Sequence, residues 1–511
     1  MLLYIEMIKR DDGFRIPLQK VTDDMLDQLS GKLFINGDFV TGRGRPIPVE
    51  NPATLEEIGT IALATQEEIG AAVAAARKAF PDWAAAPAKV RAAALHRLGE
   101  AIAADADAMA KVMTMEQGKP VNEARGEIMK LAEACHFYAE EAVRVHGEIV
   151  PNDTTDSESH VVREPIGVVG AITPWNYPAE LIGWKLCGAL AAGCTIVIKP
   201  AELTPFTALA IAAKAKEAKI PAGVVNVVTG SGSTVGQALV EHPDIDKIAF
   251  TGSSAVGLHI QKTCPRIKRL SLELGGNCPM IVTAKADLAA AIKGAARRSF
   301  RNNGQICIAI NRIYVERPIY EDFVAGLAKA ADALTVADGL ERPDADVGAM
   351  ASAEPLNKTI DHLKDALAKG ARLAAGGDRP QGEAFAKGHF FRPTVVADCD
   401  HTMKVMTEET FGPLVGVMAF DRLDEAIKLS NDTPYGLASY LYTQDAAEIR
   451  HLSRRLDYGN VAVNNVDAGV MNAPYGGRKQ SGVGYEHGRE GMLEYFNFKH
   501  IRIRLDQPKG L

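Results

Sequence analysis

Short apolar runs alternate with longer helical patterns through the middle of the chain. The runs lie at 167–173, 195–199, 224–228, 246–250 and 268–273. The patterns between them have helix length and are clearest at 178–192 and 204–218, where Thr204 is expected to cap a helix that Pro205 begins. This alternation predicts parallel strands with right-handed crossovers, and therefore a doubly wound α/β sheet. A second alternating region, 280–479, predicts a further α/β unit.

The chain before this alternation is mainly helical in pattern. Apolar residues recur at helical spacing in the Ala-rich stretch 69–80, and we expect that helix to end at Pro81. Further helical patterns continue to about Val145. A turn-rich stretch at 151–156 then separates two strand-like segments and predicts a projecting hairpin. Residues 1–30 are predicted to form a surface extension.

The composition is that of an ordinary globular protein, with 47% hydrophobic and 24% charged residues, and a length of 511 residues predicts two or three domains. The net charge of −7 argues against nucleic acid or an anionic membrane as the main partner. We find no pattern of a secretory signal or a membrane span. The seven cysteines form no Cys-x-x-Cys and the twelve histidines show no ligand spacing, so we expect a cytoplasmic protein without disulfides or a bound metal.

A cysteine and a glutamate have sequence surroundings that suit catalysis. Cys307 ends the segment 301–307 (Arg-Asn-Asn-Gly-Gln-Ile-Cys), and Glu273 lies between leucines just before two glycines. A thiol of this kind can act as a nucleophile, and a carboxylate can activate it or a water molecule. An isolated cysteine is more often a small buried residue, so the pair gains meaning only from the segments that accompany it.

Two segments follow strands at the edge where an α/β sheet binds phosphates and nucleotides. Residues 252–257 (Gly-Ser-Ser-Ala-Val-Gly) directly follow the strand 248–250, so that backbone N–H groups at a helix start could approach a phosphate. The segment 199–202 (Lys-Pro-Ala-Glu) ends the strand 195–199 at the same edge. The alternatives are an ordinary glycine turn and a polar strand end.

Three further segments combine unusual residues. In 173–178 (Thr-Pro-Trp-Asn-Tyr-Pro), two prolines hold an irregular strand exit and fix the side chain of Asn176. The segment 408–413 (Glu-Glu-Thr-Phe-Gly-Pro) could be no more than an acidic turn, and 474–482 (Pro-Tyr-Gly-Gly-Arg-Lys-Gln-Ser-Gly) is rich in turn residues. Taken in order, these segments resemble motifs of the aldehyde dehydrogenase superfamily over roughly residues 170–490. The segment 115–120 (Met-Glu-Gln-Gly-Lys-Pro) is similar to the succinate-semialdehyde dehydrogenase branch.

The resemblance implies a Rossmann-type doubly wound cofactor domain, an α/β catalytic domain and a small oligomerisation hairpin. The expected boundaries are 1–30 for the N-terminal extension, 31–146 and 166–275 for the cofactor domain, 276–480 for the catalytic domain, and 147–165 and 496–505 for the oligomerisation elements. A homo-oligomer, either a dimer or a tetramer, is implied as well.

The resemblance also implies a covalent mechanism for aldehyde oxidation. Cys307 attacks the aldehyde, the Asn176 amide helps to hold the resulting oxyanion, and Glu273 activates the water that releases the acid. Lys185 and Glu486 are implied to help to relay protons. The presence of Glu273 favours hydrolysis over acyl transfer to coenzyme A. A coenzyme A-acylating enzyme and a non-catalytic member of the fold are the alternatives.

The implied cofactor is NAD, because a carboxylate at Glu202 would repel a 2′-phosphate, whereas Lys199 leaves NADP open. In the family these two side chains hold the adenosine ribose, and the counterparts of Glu409 and Phe411 hold the nicotinamide end. The implied cofactor-binding residues are Ile172, Thr173, Pro174, Trp175, Lys199, Glu202, Gly232, Phe250, Gly252, Ser253, Gly257, Leu274, Glu409 and Phe411.

The implied substrate is a short anionic aldehyde such as succinate semialdehyde. Arg301 lies where succinate-semialdehyde dehydrogenases commonly carry an arginine for the far carboxylate, although a salt bridge to another part of the protein is the alternative. Their second arginine is replaced by Trp184, which leaves hydroxylated or sulfonated aldehydes such as sulfolactaldehyde open. The residues expected to line the pocket are Tyr177, Leu181, Trp184, Arg301, Ile308, Gly469 and Tyr475.

Overall fold

The computed structural model describes residues 18–504. Its first elements are α1 (Leu18–Leu29), β1 (Lys32–Ile35), β2 (Asp38–Thr41), β3 (Pro46–Glu50), β4 (Glu57–Ala62), α2 (Gln66–Ala85), α3 (Ala88–Ala104), α4 (Ala106–Gln117) and α5 (Val121–Ala142). Residues 1–17 of the expected extension lie outside the described residues. Helix α1 packs against α4 and against the later helix Pro205–Glu217, and it buries Leu26 and Leu29, so this part of the segment is docked on the body of the protein.

The middle elements are β5 (Glu148–Val150), β6 (Ser157–Pro165), β7 (Val168–Ile172), α6 (Glu180–Ala192), β8 (Thr195–Lys199), α7 (Pro205–Glu217), β9 (Val225–Val227), α8 (Gln237–Glu241), β10 (Lys247–Thr251), α9 (Ser254–Thr263) and β11 (Arg269–Glu273). The last elements are β12 (Cys278–Val282), α10 (Leu288–Phe300), β13 (Ile310–Glu316), α11 (Tyr320–Asp332), α12 (Ala353–Ala368), β14 (Arg372–Ala375), β15 (Thr394–Ala397), α13 (Lys404–Thr407), β16 (Leu414–Phe420), α14 (Leu423–Asn431), β17 (Tyr435–Gly436), β18 (Ala438–Tyr442), α15 (Ala446–Arg455), β19 (Asn460–Val463), β20 (Arg478–Lys479), β21 (Gly482–Val483), α16 (Gly488–Leu493) and β22 (Phe496–Arg504).

The first large sheet contains the predicted parallel strands. Its order is β2-β1-β9-β8-β7-β10-β11-β21, and β7 to β11 pair in parallel, while β1, β2 and β21 add antiparallel edges. From β7 the chain proceeds outward to β8 and β9 and then crosses to β10 on the other side. The direction of winding therefore reverses between β7 and β10, and such a switch point opens a crevice at the carboxyl ends of the strands. The doubly wound α/β prediction is confirmed.

The second large sheet has the order β14-β15-β16-β13-β12-β18-β19 and is parallel apart from its edge strand β14. Its apolar cluster includes Met280, Val417 and Tyr440, and α10 and α11 pack beside it. The predicted hairpin around 151–156 is formed by β5 and β6, and β22 pairs along the whole of β6. Among residues 18–504, no helix is long and apolar enough to cross a membrane.

The expected end of a helix at Pro81 is wrong, because α2 runs through the proline to Ala85. A proline inside a helix costs about 3 kcal/mol through a lost hydrogen bond and a clash with the preceding turn. Trp83 lies beyond the proline and is buried. Burial of about 150–250 Å² of aromatic surface at about 25 cal/mol per Å² offsets that cost.

The expected cap of α7 is also wrong in its residue. Pro205 does occupy the first turn, but within the described part of the chain the Thr204 hydroxyl has no hydrogen-bond partner. The Glu116 carboxylate from α4 takes its place and accepts hydrogen bonds from the N–H groups of Phe206 (2.7 Å) and Thr207 (2.9 Å). A buried carboxylate from another helix therefore satisfies the free N–H groups of this helix start.

Candidate active site

A cleft of about 340 Å³ opens at the switch point of the first sheet and is also lined by residues from the part of the chain that forms the second large sheet. Seven of the predicted cofactor-binding residues line it: Pro174, Trp175, Gly252, Ser253, Leu274, Glu409 and Phe411. Asn176, Leu181 and Cys307 line it as well. Segments that are far apart in sequence thus meet where the topology places a ligand crevice.

The rest of the predicted cofactor set lies outside the lining of this cleft. Ile172 ends β7, Thr173 follows it, and Phe250 lies in β10. Gly232 begins a single π-helical turn, and Gly257 lies in α9, where a Cβ atom would come within 2.4 Å of Leu274. Lys199 is the last residue of β8, and Glu202 lies in the loop that follows this strand.

Several groups in and around the cleft suit a dinucleotide. Ser253 accepts a hydrogen bond from the Val256 N–H at the start of α9, the helix end that favours phosphate. Lys199 is buried and its ammonium donates no hydrogen bond to any described residue; burial lowers the pKa of this ammonium, while Glu202 opposes the shift. The rings of Trp175 and Phe411 meet edge to face at 5.4 Å beside the cleft. Together they fit the NAD(P) implied by the sequence.

Glu409 lies at the inner end of the cleft. Its carboxylate accepts a hydrogen bond from the Gly276 N–H (2.9 Å). Burial raises the pKa of Glu409 to about 7, against the opposing effects of that N–H and of Lys358. Lys358 belongs to α12 and lines the cleft with Glu354 and Pro355, three residues that no sequence motif indicates.

Cys307 lies between α10 and β13 and lines the cleft. The turn before it contains Asn302 and Asn303 with positive φ angles of 49° and 57°, a conformation that asparagine tolerates better than most residues. Burial raises the pKa of the Cys307 thiol to about 12. The Tyr475 hydroxyl, 3.4 Å from Sγ, opposes that shift through a hydrogen bond. The tyrosine thus stands within reach of the thiol.

Asn176 is held by the same turn. Its Nδ2 donates to the Gln305 carbonyl (2.9 Å), two residues before the cysteine. The backbone carbonyl of Asn176 accepts hydrogen bonds from Lys119 Nζ (2.8 Å) and from Asn302 Nδ2 (2.9 Å). The asparagine side chain is buried and lines the cleft together with Cys307. This arrangement can hold an amide beside an oxyanion formed at the cysteine.

Glu273 ends β11 and belongs to a buried group of charged side chains. Burial raises the pKa of its carboxyl well above the ordinary value, repulsion from Glu486 adds to the shift, and Lys185 opposes it. Lys185 Nζ donates to Glu486 Oε1 (2.6 Å) and to Thr251 Oγ1 (2.6 Å). Within residues 18–504, Oε1 of Glu273 has no hydrogen-bond partner and can receive a proton from water.

A second, smaller pocket of about 80 Å³ reaches Cys307 from the other side. It shares Asn176, Leu181 and Cys307 with the cleft, so the two spaces meet at the cysteine. All seven residues expected to line a substrate pocket do line it. Charged residues that the sequence reasoning missed lie there as well, namely Lys130, Glu180, Arg298 and Asp467.

Arg301 forms the salt bridge that the sequence raised as an alternative, and it also lines this pocket. Its Nε donates to Glu123 Oε1 (3.0 Å), so it does form a salt bridge to another part of the protein. The Tyr177 hydroxyl donates to the same carboxylate oxygen (3.3 Å). The arginine also lines the pocket, and this pairing uses Nε alone, which leaves both terminal amino groups of the guanidinium for another acceptor.

The inner wall of the pocket is aromatic. The rings of Trp184 and His487 meet at right angles with centroids 4.0 Å apart, and Tyr475 lies 5.7 Å from Trp184. His487 donates through Nδ1 to the Val470 carbonyl (3.2 Å), and burial lowers its pKa to about 3, so this ring is neutral at pH 7. His487 was not predicted from the sequence, although it directly follows Glu486, because it belongs to no motif of its own.

Comparisons with known proteins agree with this geometry. The model of the aldehyde dehydrogenase family matches residues 39–501. The chain is 43% identical to a glutarate-semialdehyde dehydrogenase of Pseudomonas putida over 472 residues, covering 92% of this chain and 97% of that protein. It is 41% identical to an NADP-type succinate-semialdehyde dehydrogenase of Escherichia coli, with 92% and 97% covered, and 43% identical to a 3-sulfolactaldehyde dehydrogenase of Pseudomonas putida, with 93% and 97% covered.

Solved structures give the same result. An aldehyde dehydrogenase from Brucella melitensis biovar abortus superposes with a TM-score of 0.91 at 42% identity, covering 94% of this chain and 99% of that one. A betaine aldehyde dehydrogenase from Staphylococcus aureus, solved with NAD⁺, superposes with a TM-score of 0.91 at 34% identity, covering 95% and 97%. The chain therefore belongs to the aldehyde dehydrogenase family and is an NAD(P)-dependent enzyme that oxidises an aldehyde.

Proposed function

We propose that this enzyme oxidises a short anionic aldehyde to its carboxylic acid, with succinate semialdehyde as the leading candidate. The observation that carries the proposal is the position of Arg301 in a small pocket that ends at Cys307. A guanidinium in the same small pocket as the nucleophile can bind an anionic group at the far end of a short chain. The relatives named for succinate, glutarate and sulfolactaldehyde substrates support the same class.

The proposed reaction begins at Cys307. Its thiolate attacks the aldehyde carbon and forms a thiohemiacetal, whose oxyanion is held by the Asn176 amide and a backbone N–H. The bound nicotinamide supplies the acceptor for the hydride that leaves this carbon. Residues at the carboxyl ends of β7, β8 and β10 bind and orient that cofactor, with Glu202 favouring NAD and Lys199 leaving NADP open.

The acid is then released by hydrolysis of the thioester on Cys307. Glu273 takes a proton from the attacking water through its unpaired oxygen. Lys185 and Glu486, hydrogen-bonded to one another behind Glu273, are proposed to pass that proton onward. The tetrahedral intermediate collapses and restores the thiol. Without a carboxylate at this position the thioester would persist, which is why hydrolysis is proposed over transfer to coenzyme A.

The size and charge of the pocket limit the substrate. A volume of about 80 Å³ leaves room for a short chain, and Trp184 closes the inner wall. Two of its cations are already paired, Lys130 with Glu180 and Arg298 with Asp467. Arg301 is paired as well, with Glu123, but through Nε alone, so its two terminal amino groups are the donors that we propose to bind a negative charge. A planar carboxylate and a tetrahedral sulfonate both fit a guanidinium, so the sulfonated aldehyde remains the second candidate.

Substitution of Arg301 tests the proposal. We expect Arg301→Leu to lower kcat/KM for succinate semialdehyde by about ten- to a hundredfold relative to butanal, because a charge-assisted hydrogen bond contributes roughly 1.5–3 kcal/mol. Arg125→Leu is the control, since Arg125 is exposed, pairs with Asp107 and lies outside the pocket lining. An unchanged ratio of specificity constants for the two aldehydes in Arg301→Leu would contradict the anionic substrate.

We also propose that the enzyme is a homo-oligomer and that its domains divide as the resemblance implies. Residues 31–146 and 166–275 would bind the cofactor, and 276–480 would supply the nucleophile. The segments 147–165 and 496–505 supply the paired strands β5, β6 and β22, which would join the subunits. A cytoplasmic location stays a prediction of the sequence.

A further inference from the structure

The segment 115–120 contributes no atom to either pocket, yet three of its side chains reach loops that form the site. Glu116 caps α7, which follows the Lys199–Glu202 loop. Lys119 contacts the loop that contains Asn176, and Gln117 contacts the turn before Cys307. All three side chains are buried. The mechanism described above uses none of them.

Lys119 is the centre of this network. Its ammonium is fully buried and lies 2.5 Å from Glu127 Oε2, and it donates to the Asn176 carbonyl at 2.8 Å. It also lies 3.9 Å from the centre of the Tyr177 ring. The other oxygen of Glu127 accepts from the N–H groups of Ala179 (2.8 Å) and Glu180 (3.1 Å). The ion pair therefore holds the loop at Asn176 and at the start of α6.

Gln117 fixes the second side of the same loop. Its Nε2 donates to Asn302 Oδ1 (3.0 Å), and its Oε1 accepts from the Lys119 N–H (3.0 Å). The Asn302 amide in turn donates to the Asn176 carbonyl (2.9 Å). The backbone carbonyl of Asn176 thus accepts hydrogen bonds from Lys119 and from Asn302. The segment 115–120 supplies the first donor and orients the second.

We propose that Lys119, with Glu127 and Gln117, is a positioning residue that sets the Asn176 amide against the oxyanion formed on Cys307. A buried ion pair contributes little net stability, since desolvation of both charges opposes their attraction. Its geometric effect is larger, because a misplacement of about 1 Å in an active site can lower a rate about a hundredfold. This inference rests on the proposed roles of Cys307 and Asn176.

Two reactions of Cys307 separate positioning of the amide from reactivity of the thiol. With p-nitrophenyl acetate the thiolate attacks the carbonyl carbon, an oxyanion forms and p-nitrophenolate leaves, so the oxyanion donors matter. With iodoacetamide the sulfur displaces iodide from a saturated carbon and no oxyanion forms. Both rates are followed on Cys307 by peptide mapping, because Cys264 is also partly exposed.

The test variant is Lys119→Met combined with Glu127→Gln, which removes both charges together and keeps an acceptor for Ala179 and Glu180. We expect acylation of Cys307 by the ester, and kcat for aldehyde, to fall about tenfold or more. Alkylation of Cys307 and the Kd of NAD should stay within about twofold. Lys247→Met is the matched control. Lys247 is equally buried, but it is the first residue of β10, at the end of the strand away from the active site. This substitution should leave all four quantities unchanged.

Gln117→Leu is the second variant, should the double substitution fail to fold, and the same split is expected from it in smaller degree. Equal losses in acylation and alkylation, or no loss in either, would overturn the proposed positioning role. Asn176→Ala and Cys307→Ser separate this failure from a failure of the proposed mechanism. If Asn176→Ala slows the ester reaction and the Lys119 variant does not, only the positioning role is wrong. If Asn176→Ala has no effect, or Cys307→Ser reacts normally, the assigned mechanism itself is wrong.

Discussion

At the residue scale, the surroundings of Glu273 raise the pKa of the carboxyl that we propose as the general base. Burial raises the pKa of this carboxyl, and repulsion from Glu486 raises it further, while Lys185 opposes both. A protonated carboxyl cannot take a proton from water. With Glu273 in the proposed role, we expect thioester hydrolysis to be slow below the raised pKa and to accelerate as the pH increases through it.

We predict that Glu273→Gln separates the two halves of the reaction. Formation of the thioester should release about one NADH per Cys307 rapidly, and steady-state turnover should then fall by about 10²–10⁴-fold, because general base catalysis of hydrolysis is lost. The pH dependence of turnover should also flatten. Stopped-flow absorbance at each pH and mass measurement of the acyl-enzyme check this. Glu408→Gln is the control, and unchanged turnover in Glu273→Gln would make the carboxylate structural.

The residues that could be found from the sequence are those that lie inside short motifs. Asn176, Glu273 and Cys307 stand beside prolines or glycines that mark an irregular backbone, and the structure brings them to one place. Lys358 and Glu123 reach the same site from helices without such marks, and His487 stands beside Gly488 but belongs to no motif. Their proximity is a product of tertiary packing, which no local pattern encodes.

At the element scale, the local sequence pattern predicts where the strands lie, whereas tertiary packing determines where α2 ends and how the start of α7 is capped. The strands β7 to β11 fall within a residue or two of their apolar runs, because a parallel strand buried on both faces leaves a continuous apolar signal. Helix α2 continues past Pro81 because Trp83 is buried beyond it. Helix α7 is capped by Glu116, which lies some 90 residues earlier in the chain.

We predict that Glu116→Ala lowers the thermal unfolding temperature by several degrees, because two N–H groups at the buried start of α7 lose their acceptors at a cost of about 1–3 kcal/mol each. Thr204→Val is the matched control at the same helix end. Its hydroxyl has no partner among the described residues, so the substitution should be neutral or slightly stabilising. Differential scanning fluorimetry at one pH gives both values. A larger decrease of the unfolding temperature in Thr204→Val than in Glu116→Ala would show that Thr204 caps α7.

At the scale of the whole molecule, the sheet β22-β6-β5 differs from the other two large layers because most of its surface is open. Every residue of β5 is exposed, and β22 is exposed along nearly its full length. Ile149, Phe498, Ile501 and Ile503 are among its exposed apolar side chains. An uncovered sheet with apolar side chains and unpaired edges is prone to association, and a second copy of the chain would bury it.

We therefore predict that the enzyme is a dimer or a tetramer at micromolar concentration, and that Phe498→Asp shifts it towards smaller species. The charge would have to be buried without a partner at the interface, which costs more than the apolar contact it replaces. Val90→Asp places the same charge at an exposed apolar position on α3, outside this sheet, and should leave the assembly intact. Light scattering coupled to size-exclusion chromatography gives the mass of each variant. A wild-type monomer would contradict the prediction, and so would an unchanged mass for Phe498→Asp, because the subunits would then meet through a surface other than the sheet β22-β6-β5.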